Sequence, residues 1–328
     1  MMSRAIRIDA TGGAEALRVE EVEVPAPGPG EAQVRQSVCG VNFIDVYHRN
    51  GLYPLPALPH GIGVEASGVV EAVGPGVVEV AVGDRVAYAA LPPGAYAELR
   101  NIAAERLIPL PDGIDDVVAG GTTLRGLTAW YLLRKTYPVQ RGSTILVHAA
   151  AGGVGLLLCR WADYLGATVI GTVGSEEKAQ LAAEHGCHHP VVYTRDDFPE
   201  QVRDLTGGRG VDVVYDSVGA ATFNGSLDSL RVRGMMVSFG NASGPVPPFE
   251  PGLLAHKGSL FFTRPLLFHY VAERRQLLGG AAAYYDLVAG GVIEPVVGRR
   301  YPLERAADAH RDLEERATTG ATLLVVER

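Results

Sequence analysis

The chain has 328 residues, 41 of them Gly and three Cys, with 47% hydrophobic and 20% charged residues. Its 29 basic and 37 acidic residues leave a net charge of −8, which excludes a generally basic surface for nucleic acid or anionic membrane and leaves room only for a local cationic pocket. The glycine share is well above the usual level of about 7% and follows no Gly-X-Y period, so the excess belongs to turns and close backbone approaches.

Cys39, Cys159 and Cys187 are too scattered for a disulfide framework, and none forms the C-x-x-C spacing of a zinc site. The first residues carry no apolar signal region, and no run of about 18 apolar residues occurs anywhere. The expectation is a cytoplasmic chain that is neither exported nor membrane-spanning.

Short strand-like segments run over residues 4–9, 17–24 and 31–38, with a Pro- and Gly-rich turn at 25–30. Residues 67–73, 85–90 and 96–99 continue this pattern and predict a partly antiparallel, barrel-like domain. From Ser143 the texture alternates. Strands at 144–148, 168–172, 190–193, 211–215 and 235–239 are interleaved with helices near 153–165, 176–185, 199–205 and 222–230. Such alternation requires right-handed crossovers and a doubly wound parallel sheet. A helix over 271–289 and a final strand over 321–326 are predicted to return the chain to the first domain. The expected division is 1–123 for a β-rich domain, 124–263 for a doubly wound nucleotide-binding domain, and 264–328 for the return.

Ala149 to Gly155 reads Ala-Ala-Ala-Gly-Gly-Val-Gly between a strand and a helix. Dinucleotide binding needs small residues there, because the backbone must turn tightly and approach a pyrophosphate. The spacing is A-x-x-G-x-x-G, with Ala149 where the fingerprint has its first Gly. Gly152, Gly153, Val154 and Gly155 are the candidate phosphate-binding residues.

About 20 residues on, the fingerprint places an acid on the ribose. Here Gly174 and Ser175 stand in that region, and Lys178, one of only three lysines, follows. A 2′-phosphate would be held by Ser175 and Lys178, which favours NADPH. Glu176 argues the other way; turned onto the ribose, it would favour NADH. The adjacent Cys187, His188 and His189 point in different directions and are read as structural rather than metal-binding.

The chain resembles the medium-chain dehydrogenase/reductase superfamily, and within it the zinc-independent, zeta-crystallin-like quinone oxidoreductases. The resemblance spans nearly the whole length and is carried by residues 40–47, 51–54, 59–65, 82–86, 126–129 and 148–155. It implies an α/β fold in which a Rossmann cofactor domain is joined to a β-rich GroES-like catalytic domain.

Zinc alcohol dehydrogenases of the superfamily have Cys where this chain has Asn42 and His where it has Val64, so two of about three zinc ligands are missing. An electrophile such as a quinone accepts hydride without a Lewis acid. The resemblance implies that Asn42, Tyr47 and Tyr53 are the catalytic residues, Asn42 also touching the cofactor, although Asn42 also suits a helix N-cap and Tyr53 a packed loop. By the same likeness Tyr131, Tyr193, Ser217, Phe239, Gly240, Asn241, Phe262 and Arg316 contact the cofactor, Arg316 as a second phosphate cation.

The expected activity is NADPH-dependent quinone reduction by metal-independent hydride or electron transfer in a homodimer, with a small-molecule quinone or other electrophilic carbonyl as substrate. Reduction of α,β-unsaturated ketones or aldehydes is one alternative. A non-catalytic NADPH-binding role, crystallin-like or RNA-binding, is another.

Overall fold

The computed structural model describes residues 1–326. The first stretch contains β1 (Met2–Ile8), β2 (Arg18–Glu23), β3 (Glu31–Val41), α1 (Phe43–Arg49), β4 (His60–Gly61), β5 (Glu65–Val73), β6 (Arg85–Ala89), β7 (Leu99–Ala103) and β8 (Ile108–Pro109). Then come α2 (Asp116–Tyr131), β9 (Thr144–Val147), α3 (Gly153–Tyr164), β10 (Thr168–Val173), α4 (Glu176–Glu184), β11 (His189–Val192), α5 (Phe198–Leu205), β12 (Val211–Asp216), α6 (Phe223–Asp228), β13 (Leu230–Ser238), α7 (Gly252–His256) and β14 (Phe261–Thr263). The tail adds α8 (Leu267–Tyr270), α9 (Arg274–Ala289), β15 (Val297–Pro302), α10 (Ala306–Glu314) and β16 (Ala321–Val325).

The chain divides into two compact units. One comprises Met1–Leu127, Val271–Ala289 and the chain from Glu294 onward, and the other Thr128–Tyr270 with Gly290–Ile293.

In the first unit, β2, β1 and β4 form one sheet, while a larger one runs β15-β16-β3-β5-β6-β8 with β7 also paired to β3. The returning strand β16 lies antiparallel to β3, Leu324 opposite Cys39. Alternating inward residues such as Ile6, Ile8, Val34, Val70, Val86 and Leu324 build its core. The strand expected over 96–99 instead begins at Leu99. Tyr96 is drawn inward, almost fully buried, by a hydrogen bond from its hydroxyl to Asp45.

In the second unit the sheet order is β11-β10-β9-β12-β13-β14, every neighbouring pair being parallel. This is the 3-2-1-4-5-6 order of a dinucleotide fold, and ligands bind such sheets where the order reverses, at the carboxyl ends of β9 and β12. The strands are mainly apolar because both faces are covered; all of β12 is buried, its apolar run Val213–Tyr215 flanked by Asp212 and Asp216. Helix starts are marked by side-chain caps: Ser175 accepts the Lys178 N–H at 3.3 Å, and Asp197 accepts that of Glu200 at 3.0 Å.

Candidate active site and cofactor cradle

The turn after β9 leads directly into α3, capped by Gly152 with extended backbone. The first-turn N–H groups of Gly153, Val154 and Gly155 have no acceptor inside the helix, which suits this end to a phosphate. A Cβ on Gly155 would fall 2.2 Å from the Ala149 carbonyl oxygen and 2.8 Å from the Ala150 Cα, so only Gly lets α3 start this close to the strand. Ala149 itself holds a left-handed φ of 52°, a conformation that costs a residue with a Cβ about 1 kcal/mol.

Gly174 and Ser175 follow β10, and Tyr193 follows β11 on the same sheet edge. The Tyr193 hydroxyl sits 3.0 Å from where a Gly174 side chain would begin. Lys178 lies one turn into α4, half-buried. Glu176 forms an exposed ion pair with Arg195, which also holds Asp196 at 2.9 Å. The structure thus brings Gly174, Ser175, Lys178 and Tyr193 together. Arg316 belongs to the other unit, just past α10, with a left-handed φ of 58°.

Ser217 follows β12, while Phe239, Gly240 and Asn241 follow β13. The Phe239 N–H donates to the Asp216 carbonyl at 2.8 Å, and the Asn241 amide oxygen accepts from Arg264 at 3.0 Å. Tyr131 is buried and stacks on Tyr270, ring centres 4.5 Å apart. Phe262 packs edge-on against Phe249 at 5.2 Å and faces the unit's core.

Asp216 was not anticipated. Wholly buried, it accepts the N–H groups of Val218 and Gly219 and the hydroxyls of Thr222 and Ser226 at 2.7–3.0 Å, which shapes the loop after β12. His148 bridges the Ser226 and Thr172 hydroxyls. Burial pulls its pKa down, against the nearby Asp216, and the ring is neutral.

The other candidates cluster in the first unit. Asn42 is the N-cap of α1, and its backbone N–H donates to Asp45 at 2.8 Å. Tyr47 lies within α1 with its ring 5.2 Å from that of Tyr53, and the Tyr53 N–H donates to the Tyr47 carbonyl at 2.9 Å. Asn42, Tyr47 and Tyr53 therefore share one helix and the turn beyond it.

The Asn42 side-chain amide donates to Glu65 at 2.8 Å, and the other Glu65 oxygen accepts the Leu124 N–H at 2.6 Å. Burial pushes the pKa of Glu65 up to about 7, partly opposed by Arg125 and by the Asn42 bond. Asp45, also wholly buried, is pushed up to about 7 by desolvation, partly opposed by the Asn42 N–H and the Tyr96 hydroxyl. Arg125 is buried nearby, donating to the carbonyls of Val41 (2.7 Å) and Gly121. Glu65 stands in a motif that the sequence singled out, but its bond to Asn42 depends on strand pairing that short-range patterns do not carry.

A parallel-sheet dinucleotide unit and a β-rich unit bearing these side chains define a medium-chain dehydrogenase/reductase. Residues 28–112 match an alcohol dehydrogenase GroES-like domain, and residues 153–278 match the zinc-binding dehydrogenase family. The chain is 49% identical to a quinone oxidoreductase of Pseudomonas aeruginosa, covering 99% of this chain and 100% of that protein. It is 46% identical to a 2-haloacrylate reductase of Burkholderia sp., covering 99% of each. It also superposes with a TM-score of 0.97 on an Escherichia coli quinone oxidoreductase complexed with NADPH, at 46% identity over 98% of this chain and 99% of that one. The chain belongs to the quinone oxidoreductase family of this superfamily.

Zinc does not fit here. The Asn42 amide nitrogen is a donor to Glu65, Val64 is an apolar buried residue, and no group of three or more His, Cys, Asp or Glu among the described residues is placed to hold a metal ion. Cys39, Cys159 and Cys187 are buried thiols.

Proposed function

We propose that the protein reduces quinones with NADPH and without a metal ion. The observation that carries this reading is the full-length likeness to quinone oxidoreductases, one of them complexed with NADPH. The cofactor suits the Gly155 approach and the Lys178 and Tyr193 edge described above.

Bound NADPH supplies the hydride that a quinone accepts. The first turn of α3 holds the pyrophosphate. Ser175, Lys178 and Tyr193, with Arg316, take the 2′-phosphate, and Tyr131, Gly174, Ser217, Phe239, Gly240, Asn241 and Phe262 make the remaining cofactor contacts. Asn42, Tyr47 and Tyr53 orient the quinone and hydrogen-bond its developing oxyanion. Solvent delivers the proton. The substrate-facing residues fall in 1–123 with 264–328, and most cofactor contacts in 124–263. The protein acts as a cytoplasmic homodimer in this reading, and sedimentation or size-exclusion measurement tests the dimer.

A second reading, reduction of an electron-poor carbon–carbon double bond, is favoured by the likeness to 2-haloacrylate reductase. One experiment separates the two: NADPH and NADH consumption is followed against quinones, enones and alcohols, with and without chelator. Chelator-resistant quinone turnover with NADPH is expected. Faster turnover of enones than of quinones would promote the second reading, and chelator-sensitive alcohol oxidation would overturn both. NADPH binding with no turnover would leave a binding role.

A further inference from the structure

Glu65 opens β5 directly opposite Gly40 of β3 in the antiparallel register. A Cβ at position 40 would lie 2.1 Å from the Glu65 carboxylate oxygen that binds Asn42, so the missing side chain makes the space that this oxygen fills. The second oxygen is tied to the Leu124 N–H of α2, and the adjacent Arg125 supplies a buried positive charge. A wholly buried carboxylate is expensive, and an apolar residue of similar volume would be the cheaper occupant of this space.

The backbone of Asn42 does not depend on it. The N-cap is already fixed by the bond from its N–H to Asp45. The last torsion of Asn is broad and roughly two-fold, and the Asp45 N–H that faces the Asn42 side chain in the capping box restricts only its oxygen end. A carboxylate accepts only the nitrogen end, so the bond to Glu65 selects one of the two faces.

We infer that Glu65 is a positioning residue for the reaction: it takes one amide hydrogen of Asn42 and thereby presents the other amide hydrogen to cofactor and substrate in a single orientation. This rests on the proposed role of Asn42.

The test is steady-state NADPH oxidation with 1,4-benzoquinone for Asn42→Ala, Glu65→Gln, Glu65→Asp and the Asn42→Ala/Glu65→Gln double variant, with a thermal melt of each. Glu65→Gln keeps the reach and loses the charge. Glu65→Asp keeps the charge beside Arg125 and loses the reach, so the two variants remove different parts of the interaction.

Each single variant is expected to lower kcat/KM by about tenfold or more, as small misplacements of an orienting group do. The double variant should be no worse than Asn42→Ala alone, because Glu65 acts only through Asn42. Wild-type kcat/KM in both Glu65 variants, with Asn42→Ala impaired, overturns the inference alone, as does a double variant whose losses multiply. Wild-type activity in Asn42→Ala overturns the underlying assignment and the inference with it.

Discussion

Replacing Asp45 by Asn removes a carboxylate buried beside Asn42 and changes how stability depends on pH. Desolvation raises this group from the ordinary 3.8 to about 7, so the folded chain holds the Asp45 proton more tightly than the unfolded chain does. The penalty for ionising Asp45 is absent below about pH 4, grows through the interval and is complete above about pH 7. A shift of about three units corresponds to about 4 kcal/mol. Asn contributes no such slope. Its own cost is a buried amide placed where one Asp45 oxygen already lacks a partner, about 1–3 kcal/mol at every pH. The Asp45→Asn variant should therefore be the less stable protein at pH 4 and equal to or more stable than wild type at pH 8. His48, His148 and His310, all lowered by burial, lose stability as pH falls, but they are common to both proteins and cancel in the difference. Urea unfolding at half-unit pH steps measures that difference. A value constant from pH 4 to 8 would refute the reasoning.

Gly155→Ala should raise the NADPH dissociation constant by about tenfold or more and cost about 1–3 kcal/mol, as overpacking does; fluorescence titration and melts read both, and unchanged affinity would remove the close approach from the argument. Lys178→Ala should raise KM for NADPH about tenfold through loss of a charge-assisted bond and leave KM for NADH unchanged; equal effects on the two cofactors would contradict a phosphate contact. Arg316→Gly relieves a left-handed backbone and should stabilise the chain by up to about 1 kcal/mol while raising KM for NADPH; a lower Tm would show no strain there. Tyr96→Phe takes one of two bonds from the Asp45 oxygen and should cost about 1–3 kcal/mol and lower kcat with NADPH affinity intact; an unchanged kcat would separate this tyrosine from the positioning of α1.

Most of the parallel sheet was legible because β9 to β12 are short, mainly apolar runs between helical stretches; of β13 only the apolar second half was read, its first half carrying Arg231 and Arg233, and the three-residue β14 was not anticipated. The turn at Ala149–Gly155 was legible for the same reason. Helix α2 was not, since its sixteen residues include three glycines and three threonines, and intrinsic propensity counts against it; it forms where it packs beneath β3 and β5. Strand β15 and helix α10 were also unanticipated, and the tail rejoins the first unit through two strands rather than one. At the site, Asn42, Tyr47 and Tyr53 lie within twelve residues of one another, and a motif finds them. Asp45 is part of the same local motif, three residues from Asn42, but Glu65 and Arg125 reach the place through the pairing of Gly40 with Glu65 and the packing of α2, information that exists only once distant strands are in register.

The chain retains costly polar groups around a seven-residue helix that is too short to be stable alone. Asp45 accepts the Tyr96 hydroxyl at 2.8 Å, Tyr96 meets His310 at 3.2 Å, His310 meets Arg49 at 3.2 Å, and Arg49 grips Glu314 with two bonds of 2.8 and 2.9 Å. The acid lies in the first turn of α1 and the base in its last, each with the sign that the helix dipole favours. One network thus pins both ends of α1, through Tyr96 from the loop before β7 and His310 and Glu314 from α10. Apolar packing could bury the same area at lower electrostatic cost, but it would leave rotation about the helix axis to shape alone. Directional bonds at both ends fix that rotation, and the same rotation determines where Tyr47 points. With Glu65 selecting the face of the Asn42 amide, the helix offers Asn42 and Tyr47 in one arrangement. The ionisation penalty predicted for Asp45 is then the stability cost of an oriented site, and it is concentrated around the helix that carries Asn42 and Tyr47.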